Sequence, residues 1–152
     1  MTFRDQGWSE RVTKLGDEAE QKFMEWADKK GLGYVEYGLR RPPLRMYELP
    51  ARIRYTPDFL MSKVFIEAQG FGRDNVAKLK IDKAGCLHWW NDVHPTYLFW
   101  WDSYHERSTF MHIQQFDQLL PQAEIRSFSE GKPYYAVSGD LIFANGIGSP
   151  GE

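Results

Sequence analysis

Two extended runs separated by a very short connection constrain the fold of this chain more than any other feature. The run from Arg52 to Leu60 is followed, after Ser62 and Lys63, by the β-branched and aromatic run from Val64 to Gln69. A two-residue connection between such runs is typical of an antiparallel hairpin. It also leaves one register, in which Met61 faces Val64.

This hairpin brings two carboxylates together. Counting outward from the turn places Asp58 opposite Glu67, and alternation puts Glu67 and Gln69 on one face of the strand, with Ile66 and Ala68 on the other. Two opposed carboxylates repel each other unless a cation or a proton lies between them. We therefore expect a metal here. Carboxylate and backbone carbonyl oxygens suit Mg²⁺ or Mn²⁺ better than zinc.

The rest of the pattern predicts helices and strands around the hairpin. Apolar residues at steps of three and four predict a helix from Ser9 to Lys30, with Gly31 as its C-cap. This order of elements favours an α/β fold with a mixed central sheet flanked by helices. The other expected elements are a short strand at 33–38, a loop or arm at 39–50, a helix at 74–90, a strand at 96–101, a weaker helix at 113–120, and late strands at 134–137 and 141–144.

Length and composition favour a single domain. The chain has 152 residues, of which 42% are hydrophobic and 26% charged, so we expect one domain over residues 1–145 and a disordered tail over 146–152. No run in the sequence approaches the length of a signal or membrane segment, and we expect a cytoplasmic protein without a membrane partner. Cys86 is the only cysteine, which excludes an intramolecular disulfide and a cysteine-based metal cluster.

Charge is segregated along the chain. The net charge of -2 argues against a protein that coats nucleic acid by bulk electrostatics. However, the segment from 40 to 54 holds five arginines and one acid, including Arg40, Arg41 and Arg45. These arginines form either a local basic surface that faces phosphate or the decoration of a solvated loop, and charge alone favours neither reading.

The two runs also form a motif. Tyr55-Thr-Pro-Asp58-Phe-Leu followed by Val64-Phe-Ile-Glu67-Ala-Gln69-Gly70 resembles the PD-(D/E)XK signature of a large nuclease superfamily. With the acidic helix before Lys30-Gly31 and a following helix that carries Lys78 and Lys80, the chain is similar to the phage endonuclease I type of Holliday-junction-resolving enzyme. The likeness spans roughly Asp17 to Trp101.

The resemblance implies a fold, an activity and a set of site residues. The fold would be restriction-endonuclease-like, and the activity would be Mg²⁺-dependent hydrolysis of DNA, with Mn²⁺ as a substitute and branched DNA as the leading substrate. Asp58 and Glu67 would hold the metal, together with the backbone carbonyl of Ala68. A glutamate of the first helix would join them, with Glu20 at the matching place and Glu18 as the fallback. If the protein is phage-encoded, it would act in the host cytoplasm.

One residue departs from the superfamily pattern. Gln69 stands where the superfamily usually has lysine, and a neutral amide lacks the positive charge that helps to hold and activate a water nucleophile. Some superfamily restriction enzymes carry glutamine here and still cut, so Gln69 stays a catalytic candidate. We expect Arg73, Lys78 or Lys80 to provide the missing charge, and these three also to contact DNA.

The resemblance further implies a homodimer, because symmetric cleavage of a junction requires two active sites related by a two-fold axis. The arm from Leu39 to Pro50 is the candidate element for crossing between subunits. Two alternatives remain at this point. One is a superfamily nuclease that acts on linear, nicked or modified DNA. The other is a DNA-binding module that kept the fold and lost the activity.

Overall fold

The computed structural model describes residues 8–38 and 49–150, and for residues 8–15 it describes the backbone alone. The helices in these ranges are α1 (Trp8–Lys30), α2 (Ala51–Arg54), α3 (Ile81–Asn91), α4 (Ile113–Leu119) and α5 (Gly139–Asn145). The strands are β1 (Val35–Glu36), β2 (Phe59–Met61), β3 (Val64–Phe71), β4 (Val76–Lys80), β5 (Thr96–Asp102), β6 (Arg107–His112), β7 (Glu124–Ser127) and β8 (Pro133–Ser138).

A mixed five-stranded sheet forms the centre of the domain. Its strand order is β1-β2-β3-β5-β6, in which β3 and β5 run parallel and the other neighbours run antiparallel. A separate three-stranded antiparallel sheet has the order β4-β8-β7. The predicted α/β fold with a mixed central sheet and flanking helices is confirmed, whereas the second sheet was not predicted.

Hydrophobic cores lie on both faces of the central sheet. On one face, Ala19, Phe23 and Ala27 of α1 pack against strand residues that include Ile66 and Phe99. On the other face, α3, α4, α5 and the second sheet form a core that includes Trp100, Leu87, Phe116 and Leu79. Since β3 is buried between these layers, a polar side chain in its middle is enclosed by protein.

The first helix agrees closely with its prediction. Its buried side chains recur every four residues, as expected for the core-facing stripe of an amphipathic helix. Gly31 adopts φ +68, and the N–H of Leu32 donates to the carbonyl of Ala27 at 2.9 Å. This left-handed residue ends the helix because glycine reaches positive φ without steric cost. None of the helices in the described ranges is long and apolar enough to cross a membrane.

Several predicted elements differ in the structure. Residues 51–54 are helical, although an extended run from Arg52 was predicted. The helix predicted from Asp74 is a strand as far as Lys80 and begins only at Ile81. Val76 and Leu79 are three residues apart, as on one face of a helix, but the buried side chains are Ala77 and Leu79, two residues apart as in a strand. Residues 141–144 belong to α5, since a short apolar run fits a helix as well as a strand.

Strands β6 and β7 were not predicted. In β7 all four side chains are exposed, so the strand lacks the apolar alternation by which strands are recognised.

The tail was expected to be disordered from Gly146, but Ile147 exchanges two backbone hydrogen bonds with Phe110, at 2.8 and 2.9 Å. The expectation of disorder therefore fails at Ile147, which covers part of the outer edge of β6.

Candidate active site

The hairpin has the register that was predicted from its two-residue turn. β2 and β3 pair Met61 with Val64 and Phe59 with Ile66, around a turn in which Ser62 has φ 53. Continuing this register by one residue beyond the end of β2 places Asp58 opposite Glu67, and the charge of Glu67 raises the pKa of Asp58. A two-residue turn ties each residue of one strand to one residue of the other, which is why this contact could be counted from the sequence.

Asp58 directly precedes β2 and is held by hydrogen bonds to two neighbouring segments. Its backbone carbonyl accepts hydrogen bonds from the N–H groups of Tyr37 and Gly38, at 2.8 and 3.2 Å. Its carboxylate Oδ2 accepts a hydrogen bond from the N–H of Ala68 at 2.8 Å. At Gly38, a Cβ would lie 2.8 Å from the carbonyl oxygen of Pro57, so only glycine allows this close approach. Asp58 is thus fixed relative to β3.

The backbone of Ala68 is open toward Asp58. Continuing the register places Pro57 opposite Ala68, and proline has no N–H to donate to the carbonyl of Ala68. In an antiparallel pair, the N–H and the carbonyl of one residue point to the same side of the strand. Because the N–H of Ala68 points to Asp58, its carbonyl lies on the same side and can serve as a ligand there.

Glu67 is a buried carboxylate with an unsatisfied oxygen. The residue is 4% exposed, and its Oε2 has no hydrogen-bond partner. Its Oε1 lies 3.8 Å from Nζ of Lys83 in the first turn of α3. Burying a carboxylate oxygen without a partner is costly, so this oxygen is a place where a cation or a proton would be stabilised.

Lys83 is the site residue that sequence reasoning missed. Burial alone would lower the pKa of its ammonium group, but the negative charges of Glu67 and Asp58 outweigh burial and raise it. Lys83 is therefore a half-buried group that is positively charged at neutral pH and lies beside the two carboxylates. One signal could have identified it: Lys83 stands four residues before the buried Leu87, on the core-facing side of the helix, where lysine is unusual.

Glu20 of α1 joins the cluster from the other side of Asp58. Burial raises the pKa of Glu20 to about 8, and the charge of Asp58 and a side-chain hydrogen bond with it contribute. Burial also raises the pKa of Asp58 well above its ordinary value, and the charge of Glu67 adds to this effect. Glu18, the alternative, is two residues earlier and points about 200° away around the helix axis. The structure thus brings Glu20, Asp58 and Glu67 together.

The donor set of this pocket fits a divalent cation bound through oxygen. In the part of the chain that the structure describes, no group of three or more His, Cys, Asp or Glu side chains is arranged to hold a metal ion. The available ligands are instead Asp58, Glu67 and the carbonyl of Ala68, with Glu20 near Asp58. If ionised, the three acids carry three negative charges against one on Lys83, an excess of two that one divalent cation balances.

These raised pKa values predict that metal-free protein loses stability as pH rises. Folded Glu20 holds its proton up to about pH 8, whereas an unfolded glutamate releases it near pH 4.5. The contribution of protonated Glu20 to the free energy of unfolding is therefore fully present below pH 4.5 and is lost as the pH rises from 4.5 to about 8. Asp58 and Glu67, whose pKa values are also raised, act in the same direction. Thermal melts in EDTA should give a Tm that falls over this range in the parent and falls less in Asp58→Asn.

Two comparisons test that expectation. Mg²⁺ should restore much of the lost Tm at the upper end of the range, because it replaces the protons between the carboxylates. Parallel Tm profiles for the parent and Asp58→Asn would show that this cluster does not set the pH dependence.

The other predicted residues lie at different distances from this cluster. Gln69 is half-buried, two residues beyond Glu67 on the same face of β3. Arg73 is exposed in the turn after β3, whereas Lys78 and Lys80 lie on β4 and not on a helix as predicted. Lys78 forms an ion pair with Asp74 at 3.0 Å. Arg40, Arg41 and Arg45 lie outside the described residues.

Comparison with known proteins gives a likeness of fold. No protein-family model matches the chain, and no curated protein matches it. The fold is similar to that of Hjc, a Holliday junction resolvase from Archaeoglobus fulgidus, with 14% identity and a TM-score of 0.52 over 87% of this chain and 94% of that chain. It is also similar to that of D212, a nuclease from a fusselovirus, with 9% identity and a TM-score of 0.51 over 89% of this chain and 86% of that chain. At this level of identity the two likenesses concern the fold alone.

Proposed function

We propose that this protein is a nuclease that hydrolyses DNA phosphodiester bonds with Mg²⁺, for which Mn²⁺ can substitute. The observation that carries the proposal is the pairing of half-buried Asp58 with buried Glu67, where one oxygen of Glu67 has no hydrogen-bond partner and Lys83 lies beside it. The likeness of fold to a Holliday junction resolvase and to a viral nuclease supports it. Two opposed acids, one of them buried, would lower the stability of the fold if their role were purely structural.

Each residue of the pocket has a defined task in such a reaction. Asp58, Glu67 and the carbonyl of Ala68 would hold the metal, with Glu20 completing the negative charge around it. When bound, the metal polarises the scissile phosphate and lowers the pKa of a bound water. Lys83 holds a positive charge next to Glu67, where it can orient the attacking water and offset the negative charge that develops on the phosphate.

Branched DNA is the leading substrate, because one of the two similar folds belongs to a Holliday junction resolvase. The resemblance to the phage endonuclease I type supports the same substrate through the motif around Asp58 and Glu67. Linear, nicked or modified DNA is the alternative. A junction-cleaving enzyme would act as a homodimer, and light scattering at micromolar concentration, with and without DNA, measures this directly.

One incubation series tests both the reaction and the substrate. A four-way junction, a linear duplex and supercoiled plasmid are each incubated with the protein and Mg²⁺, Mn²⁺ or EDTA. We expect cleavage with either metal, none in EDTA, and the highest rate on the junction. Equal rates on all three substrates would leave a nuclease without junction preference.

The main rival is a DNA-binding module that kept the fold without the activity. The replacement of the superfamily lysine by Gln69 favours this rival, whereas the position of Lys83 weighs against it because a positive charge is retained beside Glu67. Such a module would bind DNA equally well in EDTA and leave all three substrates intact. That result would overturn the nuclease proposal.

A further inference from the structure

Lys80 lies at the junction between the second sheet and the candidate active site. It is the last residue of β4, pairs in register with Tyr134 of β8, and directly precedes α3, whose first turn carries Lys83. Its Nζ lies 5.6 Å from the centre of the Phe128 ring, near the tip of the β7–β8 hairpin. Since Ala77 and Leu79 point into the core, Lys80 emerges on the opposite face of β4.

Positive charges from three other elements surround Lys80. Burial lowers the pKa of its ammonium group, and the charges of Lys83, Lys132 and Arg54 lower it further, against one opposing acid, Glu130. In the described ranges, no carboxylate oxygen lies within ion-pair distance of Lys80, whereas Lys78 on the same strand is paired with Asp74. Four elements thus bring like charges together without full compensation, which is unfavourable unless an anion lies among them.

Arg54 links this cluster to the active site. Its guanidinium lies 5.1 Å from the centre of the Tyr55 ring, and Nζ of Lys83 lies 5.7 Å from the same ring. The Nε of Arg54 is buried and has no hydrogen-bond partner. A buried donor without a partner is rare in folded proteins, and next to excess positive charge it is suited to an anionic acceptor.

We propose that Lys80, Arg54 and Lys132 form a phosphate-binding shelf that holds a backbone phosphate of the substrate strand next to the one being cut. Lys83 lies where the shelf meets the Asp58–Glu67 pair, so a strand with one phosphate in the active site can place a neighbouring phosphate on the shelf. This inference rests on the proposed nuclease function, because it takes the ligand to be a nucleic-acid backbone.

Binding measurements in EDTA test the shelf without relying on cleavage. The probe is a fluorescein-labelled four-way junction, and the variants are Lys80→Gln and Lys132→Gln, with Lys80→Arg as the charge-preserving partner. Lys63→Gln, in the exposed hairpin turn, is the charge-matched control. At about 0.1 M salt we expect Lys80→Gln and Lys132→Gln each to bind roughly fivefold to tenfold more weakly than the parent. Each should also reduce the slope of log binding constant against log salt concentration by about one in magnitude. Lys80→Arg should bind like the parent, and Glu130→Gln should bind more tightly.

Several outcomes separate the shelf from the nuclease proposal. If the shelf variants bind as tightly as Lys63→Gln, the shelf is overturned even if the parent cleaves DNA. If the parent cleaves nothing but the shelf variants still lose affinity selectively, the shelf stands as a DNA-binding site and the nuclease proposal fails. If inorganic phosphate raises the Tm of the parent and of Lys80→Gln equally, and DNA affinity is unchanged, the cluster binds no phosphate specifically. A parent that binds no DNA also overturns the proposal.

Discussion

Asp58→Asn and Glu67→Gln will each lower the rate of DNA cleavage by about 1,000-fold or more, because each removes a charged oxygen that a catalytic metal needs. Both substitutions keep the shape of the side chain, and Asp58→Asn retains an oxygen that can accept the hydrogen bond from the N–H of Ala68. The folded structure should therefore persist. Single-turnover cleavage of the four-way junction in Mg²⁺ gives the rate, and DNA affinity in EDTA gives the binding control.

Stability distinguishes this loss of activity from damage to the fold. In metal-free buffer near neutral pH, Asp58→Asn should melt at the same temperature as the parent or higher, because it removes repulsion with Glu67 and the burial of an acid. The same variant should lose most of the Mg²⁺-induced rise in Tm.

A matched carboxylate serves as the control. Asp82 is exposed in the first turn of α3, directly before Lys83, and lies outside the Glu20, Asp58 and Glu67 cluster. Asp82→Asn should cut at nearly the parental rate. Full activity in Asp58→Asn or Glu67→Gln, or an equal loss in Asp82→Asn, would contradict the assignment of the metal ligands.

The part of the site that lies on the hairpin could be predicted from the sequence. A two-residue turn and strict alternation leave one register, so the opposition of Asp58 and Glu67 follows from counting residues. The helix that carries Glu20 was equally accessible, since its apolar stripe is long and ends at Gly31. These predictions depend on short-range geometry, which is why they agree with the structure.

The part of the site that depends on packing between distant elements could not be predicted. The position of Lys83 next to Glu67 requires that β4 end at Lys80 and that α3 then cross the sheet face at Glu67. In this five-residue segment, Val76 and Leu79 have the spacing of a helix and Ala77 and Leu79 that of a strand, and pairing with β8 decides between them. The long-range pairing of β4 with β8 leaves no local mark in the sequence of Val76–Lys80.

The placement of positive charge at the candidate site leads to the prediction that discriminates most sharply among mechanisms. The resemblance places a lysine at the position of Gln69, on β3, whereas in this chain Lys83 brings its charge to Glu67 from α3, with 3.8 Å between Nζ and Oε1. If catalysis requires only a positive charge beside the metal ligands, the strand and the helix are alternative places to carry it.

We expect Lys83→Gln to lower the single-turnover cleavage rate by about 100-fold to 1,000-fold, because it removes a preorganised charge from a partly dehydrated site. DNA affinity in EDTA should fall less than in Lys80→Gln, since Lys83 faces the carboxylates and Lys80 faces the proposed shelf. Lys83→Arg keeps the charge and should retain part of the rate. Gln69→Ala should lower the cleavage rate less than Lys83→Gln does, because the amide of Gln69 carries no charge.

The double variant Lys83→Gln/Gln69→Lys tests whether the charge itself is what matters. A lysine at position 69 lies two residues beyond Glu67 on the same face of β3, so it can restore a positive charge near the same carboxylate. We expect it to recover a substantial part of the rate lost in Lys83→Gln, an interaction that a double-mutant cycle measures directly. If Lys83→Gln cuts as fast as the parent, Lys83 serves only to stabilise the buried acids. If Lys83→Gln is slow and Gln69→Lys recovers nothing, Lys83 acts through a position that the strand cannot reach, such as a direct hydrogen bond to the attacking water.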